Sequence, residues 1–76
     1  MSIPQRTITW HLDPAVWQRA RFGRHQAEIW WTWPDKQVGW CVFGPEPGYA
    51  LTQGTGQNEA DGKTQAETAL RRLEGS

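Results

Sequence analysis

The stretch AEIWWTWPDKQVGWCVF, residues 27–43, decides how the rest of the chain is interpreted. It holds four of the chain's six tryptophans, in two apolar runs separated by the turn sequence PDKQ. Alternating apolar residues on either side of a proline-containing turn are typical of a β-hairpin. The sequence therefore predicts two antiparallel strands joined near residues 34–37.

An even loop would place each apolar residue of one strand opposite an apolar residue of the other. This register predicts Trp33 opposite Val38, Trp31 opposite Trp40, and Ile29 opposite Val42. Side chains alternate between the two faces of a strand, so these residues would share one face. Large aromatic side chains are the strongest core formers available to a chain of 76 residues. We therefore expect this face to be the hydrophobic core.

Further short alternating runs lie on both sides of this hairpin: TITWHL, VWQRARF and YALTQ. The sequences FGRH, GPEPG and GTG separate or end these runs, and each is typical of a turn or a strand end. Gly23 and Arg24 fit a two-residue type II′ turn, because glycine tolerates the first central position. Evenly spaced short runs of this kind predict an antiparallel meander.

Residues 13–23 fit two interpretations. DPAVWQRARFG can form a helix with an aspartate cap, a proline at the first position and a glycine at the end. It can also form a strand, and the Gly23-Arg24 turn would then place Arg19 opposite Glu28 and Trp17 opposite Trp30. The cross-strand ion pair and aromatic pair favour the strand.

The segment 58–74 has helical periodicity. Ala66, Ala69, Leu70 and Leu73 follow one helical stripe, and Asn58 with Asp61 resembles a capping box. Gly62 lies one turn before Ala66, so the stripe has a shallow end that can approach a sheet closely. The expected fold is α+β: a single domain spanning residues 1–76, with a four- or five-stranded antiparallel β-meander and one C-terminal helix packed on one face. Residues 1–6 are expected to form a flexible N-terminus.

Composition argues against several functions. The formal net charge is zero, whereas proteins that grip nucleic-acid phosphates usually carry a basic excess. Cys41 is the single cysteine, and His11 and His25 do not have metal-ligand spacing. GTG and GPEPG lack the pattern of a phosphate-binding loop. We expect neither an enzyme nor a cofactor or metal site, and the absence of a signal peptide or apolar span predicts a cytoplasmic protein that does not contact a membrane.

The face opposite the expected core supplies the candidate site. Strand alternation places tryptophans and arginines together on this face, which one helix on the other side would leave open. Tryptophan and arginine are enriched at protein interfaces. The candidate partner-binding residues are Trp17, Arg19, Arg21, Arg24, Glu28 and Trp30. The competing interpretation is a cross-strand aromatic pair that only stiffens the sheet, and a homodimer through this face is a further expectation.

From Trp30 onward the chain resembles a class of small orphan proteins of phages, prophages and gene-transfer elements. The resemblance lies in the run VGWCVF, the segment YALTQGTG and the helical segment NEADGKTQAETALRRL. Members of this class that are understood are often non-enzymatic inhibitors of host defence, including anti-CRISPR proteins. The resemblance implies a stoichiometric inhibitor that binds a host protein complex, such as a CRISPR effector. It transfers no binding residues, because these proteins share no functional motif.

A single-stranded nucleic-acid-binding module is the alternative expectation from the residues. Bases would stack on Trp17 and Trp30, and Arg6, Arg19, Arg21 and Arg24 would lie near the backbone. Zero net charge makes nucleic acid the less favoured partner.

Overall fold

A computed structural model describes residues 7–46 and 48–75. It confirms the α+β fold, with five antiparallel strands in the order β1-β2-β3-β4-β5 and one C-terminal helix. The elements are β1 (Trp10–Leu12), β2 (Gln18–Phe22), β3 (His25–Thr32), β4 (Gln37–Phe43), β5 (Ala50–Gly56) and α1 (Glu59–Gly75). The expectation for residues 1–6 lies outside the described residues.

The β2–β3 hairpin has the predicted register, and residues 18–22 form a strand rather than a helix. Arg19 pairs with Glu28, and Phe22 pairs with His25 across the two-residue turn. Gly23 has a φ of 63°, which glycine adopts readily and which the tight turn needs. The strand is shorter than expected at its start, because residues 13–17 form the turn that joins β1 to β2.

The β3–β4 hairpin differs from the predicted register by two residues. Trp31 pairs with Val38 and Ile29 with Trp40. The predicted partner of Val38, Trp33, lies instead in the turn, which a hydrogen bond from the Lys36 amide to the Thr32 carbonyl closes at 3.0 Å. A shift of two residues preserves the alternation, so each residue keeps its predicted face.

The helix begins as the sequence predicts. The Asn58 side chain accepts a hydrogen bond from the Asp61 amide at 2.8 Å, and the Asp61 carboxylate accepts one from the Gln57 amide at 2.9 Å. Together they satisfy amide groups that have no partner within the helix. Ala66 and Leu70 are fully buried, and Leu73 packs partly against the same core.

Two glycines bring the helix close to the sheet. A Cβ atom at Gly62 would lie 2.6 Å from Cγ1 of Val38, which is closer than real side chains approach. A Cβ atom at Gly56 of β5 would lie 2.4 Å from the backbone nitrogen of Gly62. The strand β5 extends through Gly54 and ends at Gly56, the last residue of GTG. The helix therefore lies over β4 and β5 at this point with no side chain between the backbones of Gly56 and Gly62.

The buried core is smaller than the predicted apolar face. Ile29, Val38, Trp40 and Val42 are buried as expected, but Trp31 is 54% exposed and Trp33 is 83% exposed. The helix lies to one side of Trp31. Gly62 packs directly on Val38, the cross-strand partner of Trp31, and has no side chain that could reach across to β3.

Candidate partner-binding surface

Three tryptophans form the candidate surface, and two of them, Trp31 and Trp33, are exposed to solvent. The rings of Trp17 and Trp31 stack with their centroids 5.2 Å apart and an interplanar angle of 26°. Trp33 follows Trp31 by two residues, at the start of the β3–β4 turn. We call Trp17, Trp31 and Trp33 the tryptophan patch. Exposed aromatic groups of this kind mark interaction sites more often than isolated apolar residues do.

The turn at residues 13–17 determines where Trp17 lies. The Asp13 carboxylate accepts a hydrogen bond from the Ala15 amide at 2.8 Å, and the Asp13 amide donates to the Trp17 carbonyl at 2.8 Å. Trp17 thus precedes β2 and does not follow its alternation. The predicted pairing of Trp17 with Trp30 is wrong, since Trp17 stacks on Trp31 and packs against the core on the helix side.

Polar contacts of the helix form the border of the tryptophan patch. The carboxylate of Glu59 accepts hydrogen bonds from Lys63 at 2.7 Å and from Gln18 at 2.9 Å. The bond from Lys63, followed by the bond from Gln18, lowers the pKa of Glu59 below its ordinary value. Gln18 is buried, so its amide needs this partner. These contacts tie the first turn of the helix to β2.

The opposite face of the sheet holds most of the other predicted site residues. Arg19 forms the expected ion pair with Glu28 at 2.9 Å and a second one with Asp13 at 3.1 Å. Trp30 is half-buried and covers Gly39, where a Cβ atom would lie 2.6 Å from the indole. Aromatic rings that cover a cross-strand glycine stabilise a sheet. Trp30, Arg19 and Glu28 therefore have structural contacts within the sheet.

Arg21 and Arg24 lie near a separate groove at the other end of the sheet. The groove has a volume of about 570 Å³ and lies between the β2–β3 turn and the β4–β5 loop. Among the described residues, no ion pair engages the guanidinium of Arg21 or Arg24. The groove lining is Arg21, Gly23, Arg24, His25, Gln26, Glu28, Phe43, Gly44, Pro45, Glu46 and Gly48. It contains carboxylates as well as arginines, so its charge is mixed.

Cys41 is buried on the same face as Trp30, with 5% of its surface exposed. Burial, followed by the nearby charge of Glu28, raises the pKa of its thiol to about 11. A neutral, covered thiol is a poor nucleophile. The structure therefore gives Cys41 the character of a small apolar residue.

The six predicted site residues do not form one surface. Arg19, Arg21, Glu28 and Trp30 lie on the open face, Arg24 lies in a turn, and Trp17 lies on the helix side. Sequence reasoning missed Trp31 and Trp33 as surface residues because alternation gives the face of a residue but not the extent of the helix. One signal was available: Trp33 directly precedes Pro34, and residues before proline often lie at the end of a strand.

Comparison with known proteins does not assign the chain to a family. No protein-family profile, curated protein or solved structure matches the chain. Within residues 7–46 and 48–75, no three histidine, cysteine, aspartate or glutamate side chains are grouped so as to hold a metal ion. No helix in the same part of the chain is long and apolar enough to cross a membrane.

Proposed function

We propose that this protein is a non-enzymatic binding protein that engages a protein partner through the tryptophan patch. The exposure of Trp33, at 83%, two residues along the chain from the stacked pair of Trp17 and Trp31, carries this proposal. Tryptophan is the residue type most enriched among the side chains that dominate protein interfaces. In this protein Trp40 lies in the core, whereas Trp31 and Trp33 lie at the surface.

The area involved supports a partner that fully covers the patch. The exposed parts of Trp31 and Trp33 amount to roughly 300 Å², since an aromatic side chain can bury about 150–250 Å². Burial of that area contributes on the order of 7 kcal/mol before the cost of association is subtracted. Association costs about 4–15 kcal/mol, so useful affinity also needs contacts around the patch. The exposed side chain of Leu12, which pairs with Gln18 beside Trp17, offers one such contact.

The geometry supports a protein partner better than single-stranded nucleic acid. The nucleic-acid alternative depends on tryptophan and arginine side by side on the open face. Trp17 lies on the other side of the sheet, Trp30 covers Gly39, and Arg19 is held by two carboxylates. The cations Arg19 and Lys63 are already paired with the carboxylates of Asp13 and Glu59, which lowers their attraction for a phosphate backbone.

Inhibition by occlusion is the mode of action that follows from a binding surface without catalytic groups. The resemblance of the chain to small phage and mobile-element proteins supplies the class of target: a host defence complex, such as a CRISPR effector, in the bacterial cytoplasm. In this proposal the tryptophan patch covers a surface that the complex needs in order to work.

Matched aromatic substitutions test the proposal. Trp33→Ala removes an exposed ring from the tryptophan patch, whereas Tyr49→Ala removes a ring that is 94% exposed in the β4–β5 loop. Bacteria that carry an active CRISPR system and express each variant are challenged with a targeted plasmid. In parallel, the purified proteins are titrated against each purified effector complex after nuclease treatment.

Wild type and Tyr49→Ala should restore plasmid uptake and bind the same effector, and Trp33→Ala should bind about tenfold or more weakly. Equal binding by all three proteins would show that the tryptophan patch is not the interface. Binding that disappears after nuclease treatment and weakens steeply with salt would support the nucleic-acid alternative. Failure to bind any effector would remove the host-defence target.

A further inference from the structure

The two edges of the sheet differ in how they are protected. The β1 edge is three residues long and is followed at once by Asp13, which pairs with Arg19. The β5 edge is seven residues long, and its sequence ALTQGTG contains neither a charged residue nor proline. Proteins usually protect edge strands with charge, proline or short length, because an open edge can pair with another strand.

Pairing at the β5 edge has a defined length. An irregularity opposite Val42 and Phe43 leaves Leu51 outside the regular ladder, so the regular part of β5 is residues 52–56. Within the part of the chain that the structure describes, no strand pairs with the outer side of this segment. Its midpoint is Gly54.

The segment is complementary to a second copy of itself. Antiparallel pairing about Gly54 places Gln53 opposite Thr55 of the other copy, and Thr52 opposite its Gly56. Gln53 and Thr55 are exposed on the open face, where the two uncharged polar side chains can form a hydrogen bond twice by symmetry. The small side chains on the helix face leave room for the indole of Trp40, which covers Gly54.

The helices allow this arrangement. The helix packs against β3, β4 and β5, so its axis lies near β4. In a continuous sheet the two copies of β4 would be separated by three strand spacings, or about 14 Å. This separation exceeds the diameter of a helix with side chains, which is about 10–12 Å. The helix also directs Glu59 and Glu67 toward Gln18 and Trp10, on the side away from β5.

We propose that two copies of this chain associate through antiparallel pairing of their β5 strands about Gly54. The product is a ten-stranded sheet with both helices on one face. A two-fold axis perpendicular to the sheet relates the copies, so each β5 is paired on both sides. The tryptophan patches lie at the Gly56 end of β5, and the axis places them at opposite ends of the dimer. This inference does not depend on the proposed function.

A charge-pairing experiment tests both the dimer and its register. The variant Gln53→Lys/Thr55→Lys places lysine opposite lysine in the proposed register. The variant Gln53→Lys/Thr55→Glu places lysine opposite glutamate at the same two positions. Light scattering with size-exclusion chromatography, at low salt and across the micromolar range, measures the dissociation constant of each.

Wild type should dimerise, the double-lysine variant should dimerise about fivefold or more weakly, and the lysine–glutamate variant should recover at least the wild-type affinity. Tyr49→Lys is the matched control for added charge, and Trp33→Ala is the control for association through the tryptophan patch. Both should dimerise as wild type does. Far-ultraviolet circular dichroism confirms that each variant is folded.

Three results would overturn the proposal. The first is a wild-type chain that stays monomeric up to high micromolar concentration. The second is a dimer that the double-lysine variant leaves unchanged. The third is a lysine–glutamate variant that remains as weak as the double-lysine variant, which would exclude pairing about Gly54.

Discussion

Ile29 and Trp31 lie two residues apart on the same face of the same strand, yet Ile29 is fully buried and Trp31 is half exposed. Both are apolar, and both pair with a buried residue of β4. At the level of Trp31 the helix lies over Val38 and Gly56 through Gly62, which has no side chain to extend over β3. Strand alternation thus determines the face on which a side chain lies. The position of the helix determines whether that side chain is buried.

Tryptophans on the helix side of the sheet differ in burial, since Trp40 is buried and Trp31 is half exposed. At the covered end, Trp40 donates a hydrogen bond from its indole to Gln65 at 2.9 Å and lies over Gly54. At the uncovered end, Trp31 stacks on Trp17 and leaves half of its surface to solvent. The same residue type is therefore buried in the core at one end and exposed to solvent at the other.

Truncation of one tryptophan at each end gives the largest expected contrast. Trp40→Ala should lower the free energy of unfolding by about 4 kcal/mol, because it leaves a cavity and removes the hydrogen bond to Gln65. Trp33→Ala should change it by less than about 0.5 kcal/mol, as expected for an exposed side chain. Urea unfolding followed by circular dichroism measures both. Similar losses for the two variants would contradict the assignment of separate roles to the two ends.

Gly62 sets the position of the helix, so its replacement should produce the next largest effect. Gly62→Ala places a methyl group against Cγ1 of Val38 and should destabilise the fold by about 1–2 kcal/mol, even though alanine favours helix. Thr64→Ala, at an exposed position of the same helix, provides the control and should be neutral or slightly stabilising. A Gly62→Ala variant that is more stable than wild type would show that the helix can move away from β4 without loss.

The sequence predicted the sheet, the helix and the face of each residue in β3 and β4, because period-two alternation and the Asn58 cap are local signals. It did not predict the register of the β3–β4 hairpin, since the residues that enter a four-residue turn depend on backbone geometry at Trp33 and Lys36. It also did not predict the tryptophan patch. The extent of helix coverage depends on the contact between Gly56 and Gly62, which are distant from Trp31 in sequence.

Burial also determines the reactivity of Cys41, and its effect on stability depends on pH. Its pKa in the folded protein is raised to about 11, so the buried thiol favours folding below the ordinary thiol pKa. That contribution, on the order of 3 kcal/mol, is lost as the pH rises from about 9 through 11. The stability difference between wild type and Cys41→Ala should therefore shift against wild type over this range.

Thiol modification gives an independent measurement of the same burial. At pH 8 the folded wild type should react slowly with a disulfide reagent, and unfolding in urea should restore the rate. Gln37→Cys in a Cys41→Ala background provides a matched exposed thiol on the same strand, and it should react quickly. Equal rates for the two folded proteins would show that Cys41 is accessible.

The smallest expected effect lies at Glu59, on the boundary between the covered and uncovered ends. A lowered pKa in the folded state means that ionised Glu59 stabilises the fold above the ordinary carboxyl pKa. The contribution is lost as the pH falls through the lowered value. Because Glu59 is largely solvated, Glu59→Gln should lower the melting temperature by at most a few degrees at pH 7, and the difference should disappear under acid conditions.

Glu46→Gln removes the same charge from the exposed β4–β5 loop and is the control for the loss of one carboxylate. The contacts of Glu59 with Lys63 and Gln18 hold the first turn of the helix, so their loss should also loosen the border next to Trp31. A melting-temperature difference between wild type and Glu59→Gln that persists at acid pH would show that the carboxylate charge does not hold this border. The end of the helix would then be set by the glycine contact alone.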